Sequence, residues 1–173
     1  MEIIEEVKSW IENFVIGLNL CPFAKVPFEA NNIVYKLAPI EEQKVFLSVL
    51  EEELRSLQNQ KHATTVIIIP NKAFGFRSYL DLYDSCVALI TSLELEEDFQ
   101  LASFHPDYQF ADAAPDDQSN FTNRSPYPLI HILRVEALAA AIESYGDTAS
   151  IYKRNIELLN SLSREELEGY LSK

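Results

Sequence analysis

Glycine is scarce in this 173-residue chain, which holds only four, and cysteine is scarcer, with two. So few glycines leave little room for loops that cradle phosphates. There is no G-x-G-x-x-G and no P-loop, so a glycine-cradled nucleotide is not expected. There is also no C-x-x-C, no H-E-x-x-H and no G-x-S-x-G, which removes the commonest redox, zinc-protease and serine-hydrolase signatures. No apolar run approaches the roughly 20 residues that span a bilayer. Positive charge is short as well: 14 Lys and Arg stand against 27 Asp and Glu, a formal charge of -13. Nucleic-acid binding needs clustered cations to displace counterions, and anionic membranes need the same, so neither partner is expected.

What is present describes an ordinary globular chain. Hydrophobic residues make up 47%, enough for a core that needs neither disulfides nor a structural metal. Cys21 and Cys86, far apart in sequence, suit a reducing compartment. The start, Met-Glu-Ile-Ile-Glu-Glu, lacks the basic and apolar regions of a signal peptide. A cytoplasmic, soluble, single-domain protein over residues 1–173 is the expectation.

Periodicity gives the elements. Ile3, Val7, Ile11, Phe14 and Leu18 mark a first helix, with Glu2, Glu5 and Glu6 at its positive end and Gly17 and Pro22 near its stop. A short strand follows over Ile33–Leu37, then a helix from about Ile40 to Leu57. Thr64–Ile69 is the strongest strand, apolar on both faces as a buried central strand should be. A helix spans about Arg77–Leu93, and Phe99–Phe104 is a third strand. Residues from His105 to Pro128 lack periodicity, yet Tyr108, Phe110 and Phe121 argue for an ordered loop. Leu129–Leu133 is a candidate further edge strand. Val135, Leu138, Ile142 and Tyr145 form a helical stripe ended by Gly146. Asp147 and Thr148 can cap the next helix, and Ser163-Arg-Glu-Glu166 is a capping box for a short last one. The fold class is therefore α/β, a small parallel or mixed sheet of three to four strands with extra helices at both ends.

In such a sheet, ligands bind beyond the carboxyl ends of the strands. If the second and third strands are adjacent and parallel, Asn71, Lys72 and His105 share that edge with the long loop. The stretch from Phe104 to Arg134 then becomes the expected site. Arg124 and Arg134, with Asn123, suit a small polar or anionic molecule; the competing role for each arginine is an ion pair that pins the loop. His105 and His131 are candidate acid–base groups, metal ligands with Asp107 or Cys21, or imidazoles bonded within the fold. His62 sits in a polar loop and is expected to be exposed. Cys21 precedes Pro22 in Leu20-Cys-Pro-Phe-Ala-Lys25. If it caps a helical turn there, with Lys25 near, its thiolate is favoured; if it trails the first helix, the thiolate is disfavoured. Cys86 lies on an apolar helical stripe and reads as core.

Trp10 and Gly17-Leu-Asn-Leu-Cys-Pro-Phe-Ala24, together with Phe104-His-Pro and Thr122-Asn-Arg-Ser-Pro-Tyr-Pro followed by His131-Ile-Leu-Arg134, resemble an uncharacterised bacterial family, the domain of unknown function numbered 1415. The resemblance spans most of the chain. It implies no activity, cofactor or substrate, but it marks the Cys21, His105 and Asn123–Arg134 segments. Three functions remain in view. One is an enzyme with Cys21 as nucleophile, His105 or His131 as base, and Arg124 with Asn123 as anion binder. The second is a non-catalytic ligand-binding or regulatory module. The third is a metal-dependent enzyme using His105, His131 and acids such as Asp107.

Overall fold

The computed structural model describes residues 2–59 and 64–172; His62 lies outside them. Helix α1 (Glu2–Trp10) runs directly into a π-helical segment (Ile11–Ile16), so the first helix is not α-helical throughout. The wider turn is closed by Gly17 N–H donating to the Glu12 carbonyl at 2.9 Å and Leu20 N–H to that of Val15 at 2.8 Å. A short α2 (Lys25–Glu29) precedes β1 (Ile33–Leu37). Then come α3 (Gln43–Asn59), β2 (Thr64–Ile68), α4 (Phe76–Ser92) and β3 (Phe99–Phe104). A 3-10 turn (Gln118–Asn123) breaks the long loop before β4 (Leu129–Arg134), α5 (Val135–Tyr145), α6 (Ala149–Ser161) and α7 (Arg164–Leu171). The Ser163–Glu166 capping box opens α7 as expected.

The sheet order is β1-β2-β4-β3. β1 runs parallel to β2, and β4 runs antiparallel to both β2 and β3. The mixed α/β class holds, with two corrections. β4 is a central strand and not an edge strand. β2 and β3 do point the same way, but β4 lies between them. Their carboxyl ends still share one edge, so His105 and Asn71 leave the sheet on the same side.

Pairing fixes which side chains share a face. His131 stands opposite Val66 on one side and Ala102 on the other, so these three project together. The opposite face takes Ile67, Ile69, Leu101, Ile130 and Ile132 into a core with Phe46, Leu50 and Leu54 of α3 and Tyr79, Leu82 and Cys86 of α4. On the His131 face, Val66, Ile68 and Leu129 pack against Val7, Trp10 and Phe14, with Leu159 and Leu167 from the C-terminal helices. Burial from both sides explains the apolar run Val66–Ile69, and every residue of β2 is buried.

Candidate functional site

Helix coverage on the His131 face is incomplete. The sequence of α5, VEALAAAIESY, is strongly apolar, yet α5 has no buried residue, and neither does α2. Between them and the sheet lies a cavity of about 730 Å³. Its floor includes Thr64, Val66, Ala102, Phe104 and His131; Trp10, Ile11 and Val15 close one end. One wall is the Cys21–Pro27 segment, and the other carries Ala137, Leu138, Ala141 and Tyr145 of α5. The walls meet where Phe23 and Tyr145 make an edge-to-face contact, ring centroids 5.8 Å apart.

The Cys21 wall is held from behind. Asn19 has a left-handed backbone, φ 53°, a conformation asparagine tolerates. Arg154 donates to the Asn19 carbonyl, and the buried Asn155 amide donates to the Leu20 carbonyl at 2.7 Å. Cys21 therefore emerges from a pinned turn and lines the cavity. It opens a turn ahead of α2, as expected of a capping position: Ala24 N–H donates to its carbonyl at 3.2 Å, and the N–H groups of Phe23 and Ala24 reach its thiol, while α2 itself starts from Ala24 without a side-chain bond. Burial pushes the Cys21 thiol above its usual pKa, only partly offset by the backbone N–H groups of Phe23 and Ala24. The activated thiolate expected from the Cys-Pro step is thus not what this environment favours. Lys25 points elsewhere, exposed and 3.7 Å from Glu29.

His131 has a defined tautomer. The Thr64 hydroxyl donates its one proton to the Ile132 carbonyl. Toward His131 Nε2, 2.6 Å away, it can only accept. Nε2 therefore carries the proton and Nδ1 keeps a lone pair. Among the described residues Nδ1 has no partner, and it is not sealed in. Among the described residues, the buried side-chain nitrogens and oxygens without partners are Trp10 Nε1 and Arg154 Nε alone. Burial lowers the His131 pKa to about 4, so the ring is neutral at pH 7.

The other predicted residues go elsewhere. His105 continues β3 on the opposite face, fully buried against Phe76 and Tyr79. The Asp107 N–H donates to its Nδ1 at 3.0 Å, which leaves the proton on Nε2 to be given to the Phe74 carbonyl at 2.7 Å. Both nitrogens are spent, and burial lowers the ring's pKa. Arg124 donates to the carbonyls of Tyr108 (3.2 Å) and Pro115 (3.0 Å) and lies 4.7 Å from the Phe121 ring centroid. Asn123 donates to the Ser103 carbonyl at 3.0 Å, and its own carbonyl accepts from His105 N–H at 3.1 Å. These residues tie the long loop down. Arg134 borders the cavity and also a smaller groove beside Glu97, Asp98 and Glu136, with its guanidinium donating to the Leu57 carbonyl.

The structure thus brings Cys21, His131 and Arg134 to one cavity and leaves His105, Asn123, Arg124 and Lys25 outside it. Among the described residues, no three His, Cys, Asp or Glu side chains are grouped as metal ligands would be. No helix among them is long and apolar enough to cross a membrane. Sequence reasoning missed Thr64, Trp10 and Asn155. Asn155 had left a signal: it interrupts the apolar stripe of Ile151, Leu158 and Leu162, where a polar residue usually answers a buried backbone group.

No curated protein and no solved structure matches this chain. A family model does match, over residues 2–169, and the chain belongs to that family, the protein of unknown function family DUF1415.

Proposed function

We propose that this protein binds a small, largely apolar molecule in the cavity between the sheet and α5. The observation that carries this reading is an apolar helix that buries none of its residues, standing over a cavity of about 730 Å³ into which a few polar groups converge. A concave, largely apolar space with sparse polar groups is the usual form of a ligand site. The polar or anionic substrate suggested by the long loop fits less well, because the Arg124 fork is occupied by main-chain carbonyls.

A neutral fluorescent probe such as 1-aminoanthracene tests the proposal. It should brighten on binding and quench Trp10, the chain's one tryptophan and part of the cavity wall. Ala102→Leu and Ala141→Phe each add volume to the cavity lining. Each should weaken the probe at least about tenfold while the thermal midpoint holds or rises, since filling space adds contacts. Equal affinity in both variants would place the probe, and the function, elsewhere.

A second reading keeps Cys21 as nucleophile with His131 as its base, and it is favoured by one fact: both line the same cavity. The substrate would be an ester or thioester with an apolar acyl group. Cys21 Sγ would attack the carbonyl carbon, its proton would pass to His131 Nδ1, and the leaving alkoxide or thiolate would depart. p-Nitrophenyl butyrate should then give a nitrophenolate burst stoichiometric with protein and an acyl adduct on Cys21 by mass spectrometry. Wild type without burst or adduct would leave binding alone.

A further inference from the structure

We infer that the cavity selects uncharged molecules carrying a hydrogen-bond donor, a hydroxyl or N–H on an aromatic or alicyclic body, and that His131 Nδ1 accepts that donor. This rests on the cavity being the binding site.

The geometry assigns the polarity. Thr64 spends its proton on Ile132, so it fixes the His131 proton on Nε2 and leaves Nδ1 as an acceptor. Nδ1 is open to the cavity, so a ligand that covers it without offering a donor leaves it unmatched, and a ligand donor avoids that cost. Charge is unwelcome in either sign. Among the described residues no Asp or Glu lines the cavity, so a cation would find no counter-charge from them. A carboxylate would bring its lone pairs against the lone pair of Nδ1. Among the described residues the cation at the border is Arg134, and it is engaged with the Leu57 carbonyl. The depressed pKa of His131 agrees with this, since a neutral ring offers an anion no charge at pH 7.

Three ligands of one shape separate the possibilities: 2-naphthol, its methyl ether and 2-naphthoate, titrated calorimetrically at pH 7 against the full chain. The naphthol should bind about tenfold tighter than the ether, the value of one net hydrogen bond at the upper end. The naphthoate should bind more weakly still. His131→Leu should equalise naphthol and ether. Thr64→Val is the second variant, because it keeps the imidazole but frees its tautomer; it too should shrink the naphthol preference. If the ether or the naphthoate binds as well as the naphthol, the inference is overturned while the cavity reading stands. A preference that persists unchanged in both variants also overturns it, by removing His131 as the acceptor. If all three bind to wild type, and equally to Ala102→Leu, the cavity reading itself fails.

Discussion

His131 donates through Nε2 to the hydroxyl of Thr64 across 2.6 Å, because Thr64 gives its own proton to the Ile132 carbonyl; the bond sets the tautomer, and burial keeps the ring neutral. The unfolded ring titrates near 6.5, the folded one near 4. Above pH 6.5 both are neutral, and His131 adds no pH dependence. Between these values the unfolded chain takes up a proton that the folded chain refuses, so stability falls as pH falls, by up to about 1.4 kcal/mol per unit. His105, lowered in the same direction, adds to the slope. His131→Gln removes the titration and retains a donor toward Thr64. Urea unfolding from pH 7.5 to 4.5 should show the variant losing less stability on acidification than wild type. Parallel curves would mean that His131 titrates normally.

The two cysteines should separate by access, with neither activated. Burial raises both thiols, Cys86 to about 12 and Cys21 with partial relief from two backbone N–H groups. Cys86 is fully buried, whereas Cys21 borders the cavity. Iodoacetamide at pH 7.5 should modify Cys21 more slowly than a free thiol and leave Cys86 untouched until unfolding. A small apolar maleimide should favour Cys21 over free thiol more than iodoacetamide does. Cys21→Ser should remove the native-state reaction. Reaction at Cys21 faster than at a free thiol would show a thiolate that this environment should not support.

The loop from His105 to Pro128 should depend on Arg124 and Asn120. Buried Asn120 accepts from Phe110 N–H at 3.0 Å and donates to the Ala114 carbonyl at 2.8 Å. Arg124 closes the same loop onto Phe121. Arg124→Ala or Asn120→Ala should each cost about 1–3 kcal/mol, the range for hydrogen bonds to charged groups or for buried groups left unmatched. Amide exchange over residues 106–117 should accelerate. Arg124→Lys should not rescue, because an ammonium cannot span both carbonyls. Probe affinity at the cavity should hold in all three variants. Its loss would place the loop in the site after all.

Much of the fold was legible because periodicity is local. Ile33–Leu37 and Phe99–Phe104 needed only their own alternation and flanking turns, and the structure has strands at both. The place of β4 was not legible, since Leu129–Arg134 reads the same at an edge or in the middle. Only pairing with both Thr64–Ile68 and Phe99–Phe104 decides it. The same gap explains the histidines. His105 and His131 look alike in sequence, but strand parity sends them to opposite faces, and parity across strands needs the register. Arg124 misled for another reason. An arginine in an acidic chain draws attention as a ligand, while its partners were main-chain carbonyls, which sequence does not single out.

Gly17 offers a test in which two known effects have opposite signs. Its backbone is helical, φ -58° and ψ -40°, so any residue could adopt it. Helix propensity alone predicts that Gly17→Ala stabilises by about 0.5–1 kcal/mol. The π-helical turn predicts the reverse. A Cβ at Gly17 would stand 2.2 Å from the Asn13 carbonyl oxygen and 2.9 Å from its carbon, and backbone cannot swing aside as a side-chain tip can. Relief would have to move the turn that carries Leu18–Leu20 into the Cys21 wall. Overpacking of this kind costs about 1–3 kcal/mol, more than the propensity gain. Gly17→Ala should therefore lower the unfolding midpoint, and probe affinity should fall because the displaced turn carries Cys21, which lines the cavity. Gly17→Ser should behave alike, since the Cβ is the offending atom. A raised midpoint in Gly17→Ala would mean that the chain passes this point as an ordinary α-helix, and the π turn would lose its part in placing Cys21.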